Sequence, residues 1–96
     1  MSHLARAVTF LDPRQAAMAT VNAAAIEAHQ AVMHAKPEWF HHIMRRCEAK
    51  AAKIAEQAAG HDANSEATFV EVYTRTFPAL FTAAIAAYQQ ALDDNS

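Results

Sequence analysis

An all-α fold, a small antiparallel bundle of three long helices, is predicted by three features of this 96-residue chain. One glycine and three prolines leave few points where the backbone can turn. Larger apolar residues recur at the helical spacing of about 3.6 rather than in alternation, and β-branched runs are absent. The punctuation also falls where helices should start and stop, with Pro13 and Pro37 at openings and Gly60 at an end.

Residues 1–11 read either as a short helix capped by Ser2 or as an extended arm, since Val8-Thr9-Phe10-Leu11 suits both. Asp12-Pro13-Arg14-Gln15 then supplies an N-cap, a proline at the first helical position and a glutamine at the third. A helix over 12–35 follows, ended by the restriction that Pro37 places on Lys36. Met18, Val21, Ile26, Val32 and Met33 form its apolar stripe, with Asn22 and His29 near the middle. His29 is expected to be a neutral core residue bonded to Asn22 or to a facing tyrosine. The opposite side (Ala16, Thr20, Ala23, Ala24, Glu27, Ala31) is smooth enough for close helix packing.

A second helix is predicted over 37–59, with Glu38 near its positive N-terminal end. Phe40, Ile43, Cys47, Ala51, Ile54 and Ala58 form its seam, flanked by Trp39 and Met44. Cys47 at the seam's centre reads as a buried, inert thiol. Past Gly60, Asn64 or Ser65 caps a third helix over 65–92. Phe69, Val70, Tyr73, Phe77, Leu80, Phe81, Ala84, Tyr88 and Leu92 keep one phase across Pro78. One long helix kinked near Thr74–Pro78 is therefore expected, the alternative being a break into two, which would make four helices.

Length and composition bound the function. Ninety-six residues make one domain. The 53% hydrophobic content overstates the core, because 25 residues are alanine and only Leu4, Leu11, Leu80 and Leu92 are leucine. Alanine buries little area at about 25 cal/mol per Å², so a homodimer or a protein partner is expected to complete the core. A single cysteine suits a reducing compartment, and Met1-Ser2-His3-Leu4-Ala5-Arg6 lacks the apolar run of a signal peptide. The longest apolar-rich run, Ala79 to Tyr88, is too short for a bilayer, which takes about 20 residues. A cytoplasmic protein of bacterial or phage type, without membrane contact, is the expectation.

The net charge of −2 disfavours nucleic acid as a general partner. Charge is nevertheless uneven: Lys36, Arg45, Arg46, Lys50 and Lys53 cluster in the second helix, while Glu66, Glu71, Asp93 and Asp94 belong to the third. The simplest reading is that these helices face one another within the fold or across a dimer. Ile54 to Gly60 followed by a helix from Ser65 resembles a helix-turn-helix, and a small DNA-binding regulator is a second alternative. Yet the first helix is about twice too long, the turn exceeds the usual three or four residues, and Glu66 and Glu71 would repel phosphates.

No enzyme is expected. No serine stands on a glycine-rich elbow, one glycine rules out phosphate-cradling loops, and the His-x-x-Lys-Gly pattern of phosphotransfer bundles is missing. No cofactor is implied. The most concrete chemical alternative is a metal-binding bundle. Glu38-x-x-His41 puts a carboxylate and an imidazole on one helical face, and His34 with His42 could approach around the Lys36-Pro37 turn. Di-iron bundles need two such motifs, and only one is present, so Glu38, His41 and His34 are weak candidates.

The leading expectation is a non-enzymatic protein–protein interaction module. Adaptors, secretion-type chaperones and phage or mobile-element inhibitors that occupy a partner's surface share this composition. The face expected to do it is Trp39, His42, Arg45, Arg46, Lys50 and Lys53, because Trp and Arg dominate interface hot spots. Its partner would present an acidic surface.

Overall fold

The computed structural model describes residues 12–60 and 63–95. The expectations for residues 1–11 lie outside the described residues. Four helices and no strand are found among those described: α1 (Pro13–Ala28), α2 (Gln30–Ala35), α3 (Pro37–Ala59) and α4 (Ser65–Asp94). The all-α bundle is thus observed, but the fourth helix arises in an unexpected place.

The helix expected over 12–35 opens as its residues dictate. Asp12 Oδ1 accepts from the Arg14 N–H at 2.9 Å, with Pro13 in the first turn. It is then interrupted at His29, whose backbone leaves helical geometry at φ −124°, ψ 34°. The interruption costs little bonding, because the His29 N–H still reaches Ala25 O at 3.1 Å and Met33 N–H reaches His29 O at 3.1 Å. It lets α2 turn away from the line of α1 and pack on α3.

α4, by contrast, runs unbroken through Pro78, which lies on an exposed side of the helix. It also extends to Asp94, two residues beyond the expected end. Asn64 occupies the N-cap position, but its side chain makes no capping bond. α3 ends at Gly60, whose φ of 50° is the single positive φ among the described residues.

Cross-contacts give the topology. Arg14 lies over Phe69, Asn22 meets Tyr73 and His29 meets Phe81, so α1 and α4 run in the same direction. Phe40 meets Phe81 and Trp39 meets Tyr88, so α3 runs against α4. The result is an up-down-up bundle shaped as a slab, with extents of 50 × 37 × 16 Å.

The core is built on a row of rings four residues apart. Phe69, Tyr73, Phe77 and Phe81 stack face to face along α4, with centroids 6.0, 5.5 and 5.5 Å apart. Four residues are one turn plus about 40°, so this row winds round α4 instead of running straight along it. α3 answers with Phe40, Met44, Cys47, Ala51, Ala55 and Ala59. The alanines Ala51, Ala55 and Ala59 are fully or almost fully buried, which leaves room for large rings in the same core.

This packing corrects the seam read for α3. Met44, Ala55 and Ala59 are buried where Ile54 and Ala58 were expected, and Ile54 is 37% exposed. Ile43 is only half-buried. The inward face steps by four residues from Cys47 through Ala51 and Ala55 to Ala59, and the drift of about 40° at each step carries it off the side of Ile54 and Ala58.

Candidate functional site

One polar cluster lies within the bundle. The Tyr73 hydroxyl donates to Asn22 Oδ1 at 2.7 Å, and Asn22 Nδ2 donates to Glu48 Oε2 at 2.6 Å. The chain of bonds links α4, α1 and α3. Asn22 is therefore engaged by Tyr73 and Glu48, not by His29. The His29 ring instead sets itself edge-on to Phe81, centroids 5.4 Å apart at 81°, which corrects the hydrogen-bonding expected for it.

Tyr73 has no exposed surface. Burial pushes its phenol far above the ordinary range, and the Glu48 carboxylate acts the same way. Ionisation would also remove the proton that it donates to Asn22. The folded state thus favours protonated Tyr73. That stabilisation is complete below the unfolded value near pH 10 and is lost as pH rises above it. Tyr73→Phe should cost about 1 kcal/mol at pH 8. The difference between wild type and variant should shrink from about pH 10 upward, as measured by urea unfolding across that range. An unchanged difference at high pH would mean the hydroxyl is not held as described.

The cluster is a clamp, closed and satisfied. A smaller hollow of about 320 Å³ lies between α1 and α4, and two hollows lie on the other side of the α3/α4 hairpin, the side not covered by α1 or α2. A groove of about 940 Å³ runs between α3 and α4 there, walled by no residue of α1 or α2. From α3 come Trp39, His42, Ile43, Arg46, Lys50 and Lys53, with Cys47 at the bottom. From α4 come Leu80, Ala84 and Ala87. A second hollow of about 390 Å³ shares Trp39, Ile43, Ala84 and Ala87 and continues to Tyr88, Ala91 and Leu92.

The structure brings five of the six expected contact residues to this groove and sets one apart. His42, Arg46, Lys50 and Lys53 follow one another at four, four and three residues, in a row on one side of α3. Trp39 shares that side, is 53% exposed and stacks on Tyr88 with centroids 4.8 Å apart. Arg45 lies about 100° round the helix from Arg46. It borders a different, smaller hollow with Pro37, Glu38, His41 and His42.

The basic row is not consumed by contacts among the described residues. Among the described residues the ion pair found is Arg14 with Asp12 at 4.0 Å, and none of His42, Arg46, Lys50 or Lys53 has an acidic partner. The basic and acidic helices face one another as expected, since α3 packs on α4, while His42, Arg46, Lys50 and Lys53 themselves stay exposed outside that contact. Burial pushes the Cys47 thiol above its ordinary value, while the Lys50 and Arg46 cations pull it back. At 7% exposure it is a floor atom of the groove rather than a nucleophile.

The metal candidates are not assembled. Glu38 and His41 face one hollow, as their spacing demands, but His34 does not line it and the Arg45 cation does. No group of three or more His, Cys, Asp or Glu suited to a metal ion occurs among the described residues. The helix that the DNA-binding alternative would present is the leading half of α4, which is exposed on one side. Its other side is core wall through Phe69, Val72, Tyr73 and Phe77, and Glu66 and Glu71 are exposed. No helix among the described residues is long and apolar enough to cross a membrane.

The α4 side of the groove is what sequence reasoning missed. Leu80, Ala84 and Tyr88 read as core because they share a stripe with Phe77 and Phe81. The signal was present in the spacing. Phe77, Phe81 and Ile85 form one four-residue row, and Leu80 and Ala84 begin another beside it. No protein-family model, curated protein or solved structure matches this chain, so residues and geometry carry the functional reading.

Proposed function

We propose that this protein is a non-enzymatic interaction module that binds an acidic surface of another protein through the α3/α4 face. The observation that carries it is the coincidence, on one open face, of an apolar groove with an exposed tryptophan and a basic row that has no acidic partner among the described residues. Apolar floor supplies affinity, while the charged rim supplies partner choice and rate of encounter. An adaptor, a chaperone-like protein or an inhibitor would use such a face in the same way, by covering a partner's surface.

The structure separates two neighbouring arginines, and that separation gives the test. Partners are captured on the immobilised protein from cells that naturally produce it, and affinity is then measured for the captured protein. Arg46→Glu should weaken binding at least about tenfold, near 1.4 kcal/mol, and the loss should diminish with added salt. Arg45→Glu should change it little. Equal loss from both variants, or from neither, would remove the row as the recognition element, and failure to capture any partner would remove the interaction reading.

A further inference from the structure

We propose that the groove receives a single amphipathic α-helix of the partner, carrying a row of Asp or Glu side chains that meets Arg46, Lys50 and Lys53. This inference rests on the interaction reading above and specifies the ligand. Its apolar stripe would lie on Ile43, Leu80, Ala84 and the stacked Trp39–Tyr88 pair.

The first argument is shape. Two antiparallel helices leave a trough whose natural filler is a third rod about 10–12 Å across. From Trp39 to Lys53 the trough follows α3 for 14 residues, about 21 Å or four turns. A helix of that length offers apolar anchors at i, i+3 or i+4 and i+7, the pattern by which helices bind grooves.

The second argument is charge. Arg46, Lys50 and Lys53 lie at i, i+4 and i+7 along α3, so acids at the same spacing on a docked helix would meet all three. The α4 edge bears Ala87 and Ala91, small and uncharged, which allows the other flank of that helix to approach closely. The complement is thus one-sided: acids toward α3, small or apolar residues toward α4.

The third argument excludes nearer occupants. A second copy would have to supply the acids, yet among the described residues no Asp or Glu lines either hollow. A two-fold axis across the helices would place the basic row against itself, and an axis along them would place it against the alanine edge of α4. The first arrangement sets like charges against each other, and the second leaves the basic row with no acid to meet. Residues 1–11 cannot supply the complement either, since they contain Arg6 and no acid.

Photo-crosslinking tests the inference. Benzoylphenylalanine is placed at Ala84, or at Ala87 should the first variant lose helicity, and at Ala23 on the exposed side of α1 as control. The full-length protein is irradiated in its native cells and the attached segment is sequenced. The expected result is attachment from the groove position to a segment with apolar residues at helical spacing and acids at i, i+4 and i+7. It should be absent from Ala23 and lost when Arg46→Glu and Lys50→Glu are added. Attachment to a second copy of this chain, to nucleic acid or to a segment without acids would overturn it, as would no attachment. If capture still depends on Arg46 while the groove positions attach to nothing, docking of a helix falls and recognition of an acidic surface stands. If capture fails as well, both fall.

Discussion

Phe81→Ala should cost about 3–5 kcal/mol of stability, the usual range for emptying a fully buried phenylalanine site. Phe81 has no exposed surface. Its ring stacks on Phe77 at 5.5 Å, takes the edge contact of Phe40 at 5.2 Å and meets His29 at 5.4 Å. It is therefore the point where α4, α3 and the break after α1 come together. Small domains have a total stability of about 5–15 kcal/mol, so the variant should be largely unfolded or close to it at 37 °C. Thermal unfolding followed by circular dichroism measures the effect. A loss under about 1.5 kcal/mol, the range of tolerated hydrophobic swaps, would show that this ring is not the hub of the core.

The second large effect should come from adding volume rather than removing it. Ala55→Leu inserts a branched side chain at a site with no exposed surface, and overpacking of this kind costs about 1–3 kcal/mol. Ala58→Leu, three residues on, should be nearly neutral, because Ala58 is exposed and leucine is a good helix former. The pair is a direct test of which face α3 turns inward. Were the seam to run through Ile54 and Ala58, the order of the two losses would invert. Urea unfolding of both variants beside wild type decides between these faces.

The two predictions share a cause. An alanine-rich chain has few large side chains, so this protein concentrates them in one aromatic row and uses alanine where space must be left for the rings. The same economy leaves Trp39, Ile54 and Leu92 partly outside. Trp39 and Leu92 border the hollows between α3 and α4, and the basic row stands beside the larger groove. Core and proposed binding face are therefore two consequences of how one pair of helices crosses.

Much of this was legible in the residues alone. Helix starts at Pro13 and Pro37 and the stop at Gly60 depend on backbone chemistry that acts within a few residues, so local sequence was sufficient. The inward direction of Phe40, Cys47 and Phe77 and the outward direction of Arg46, Lys50 and Lys53 follow from helical phase. Even the basic row, with Trp39 beside it, could be drawn on a helical wheel.

Tertiary structure alone decided the rest. Nothing local distinguishes His29 from its neighbours as a break; the contact of its ring with Phe81, more than fifty residues away, is what singles it out. The continuity of α4 through Pro78, by contrast, was already carried by the unbroken phase of its apolar stripe, and the structure shows the one long helix. Whether Met44 or Ile43, Ala55 or Ile54, faces inward depends on the crossing of α3 and α4, a relation between helices. That crossing also separates Arg46, on the groove, from Arg45, a single residue away. A helical wheel ranks faces by composition, but the buried face winds round the helix by about 40° with each four-residue step, as the row from Phe69 through Tyr73, Phe77 and Phe81 to Ile85 does. The core follows that row along α4, and Leu80 and Ala84, in the row beside it, face the groove.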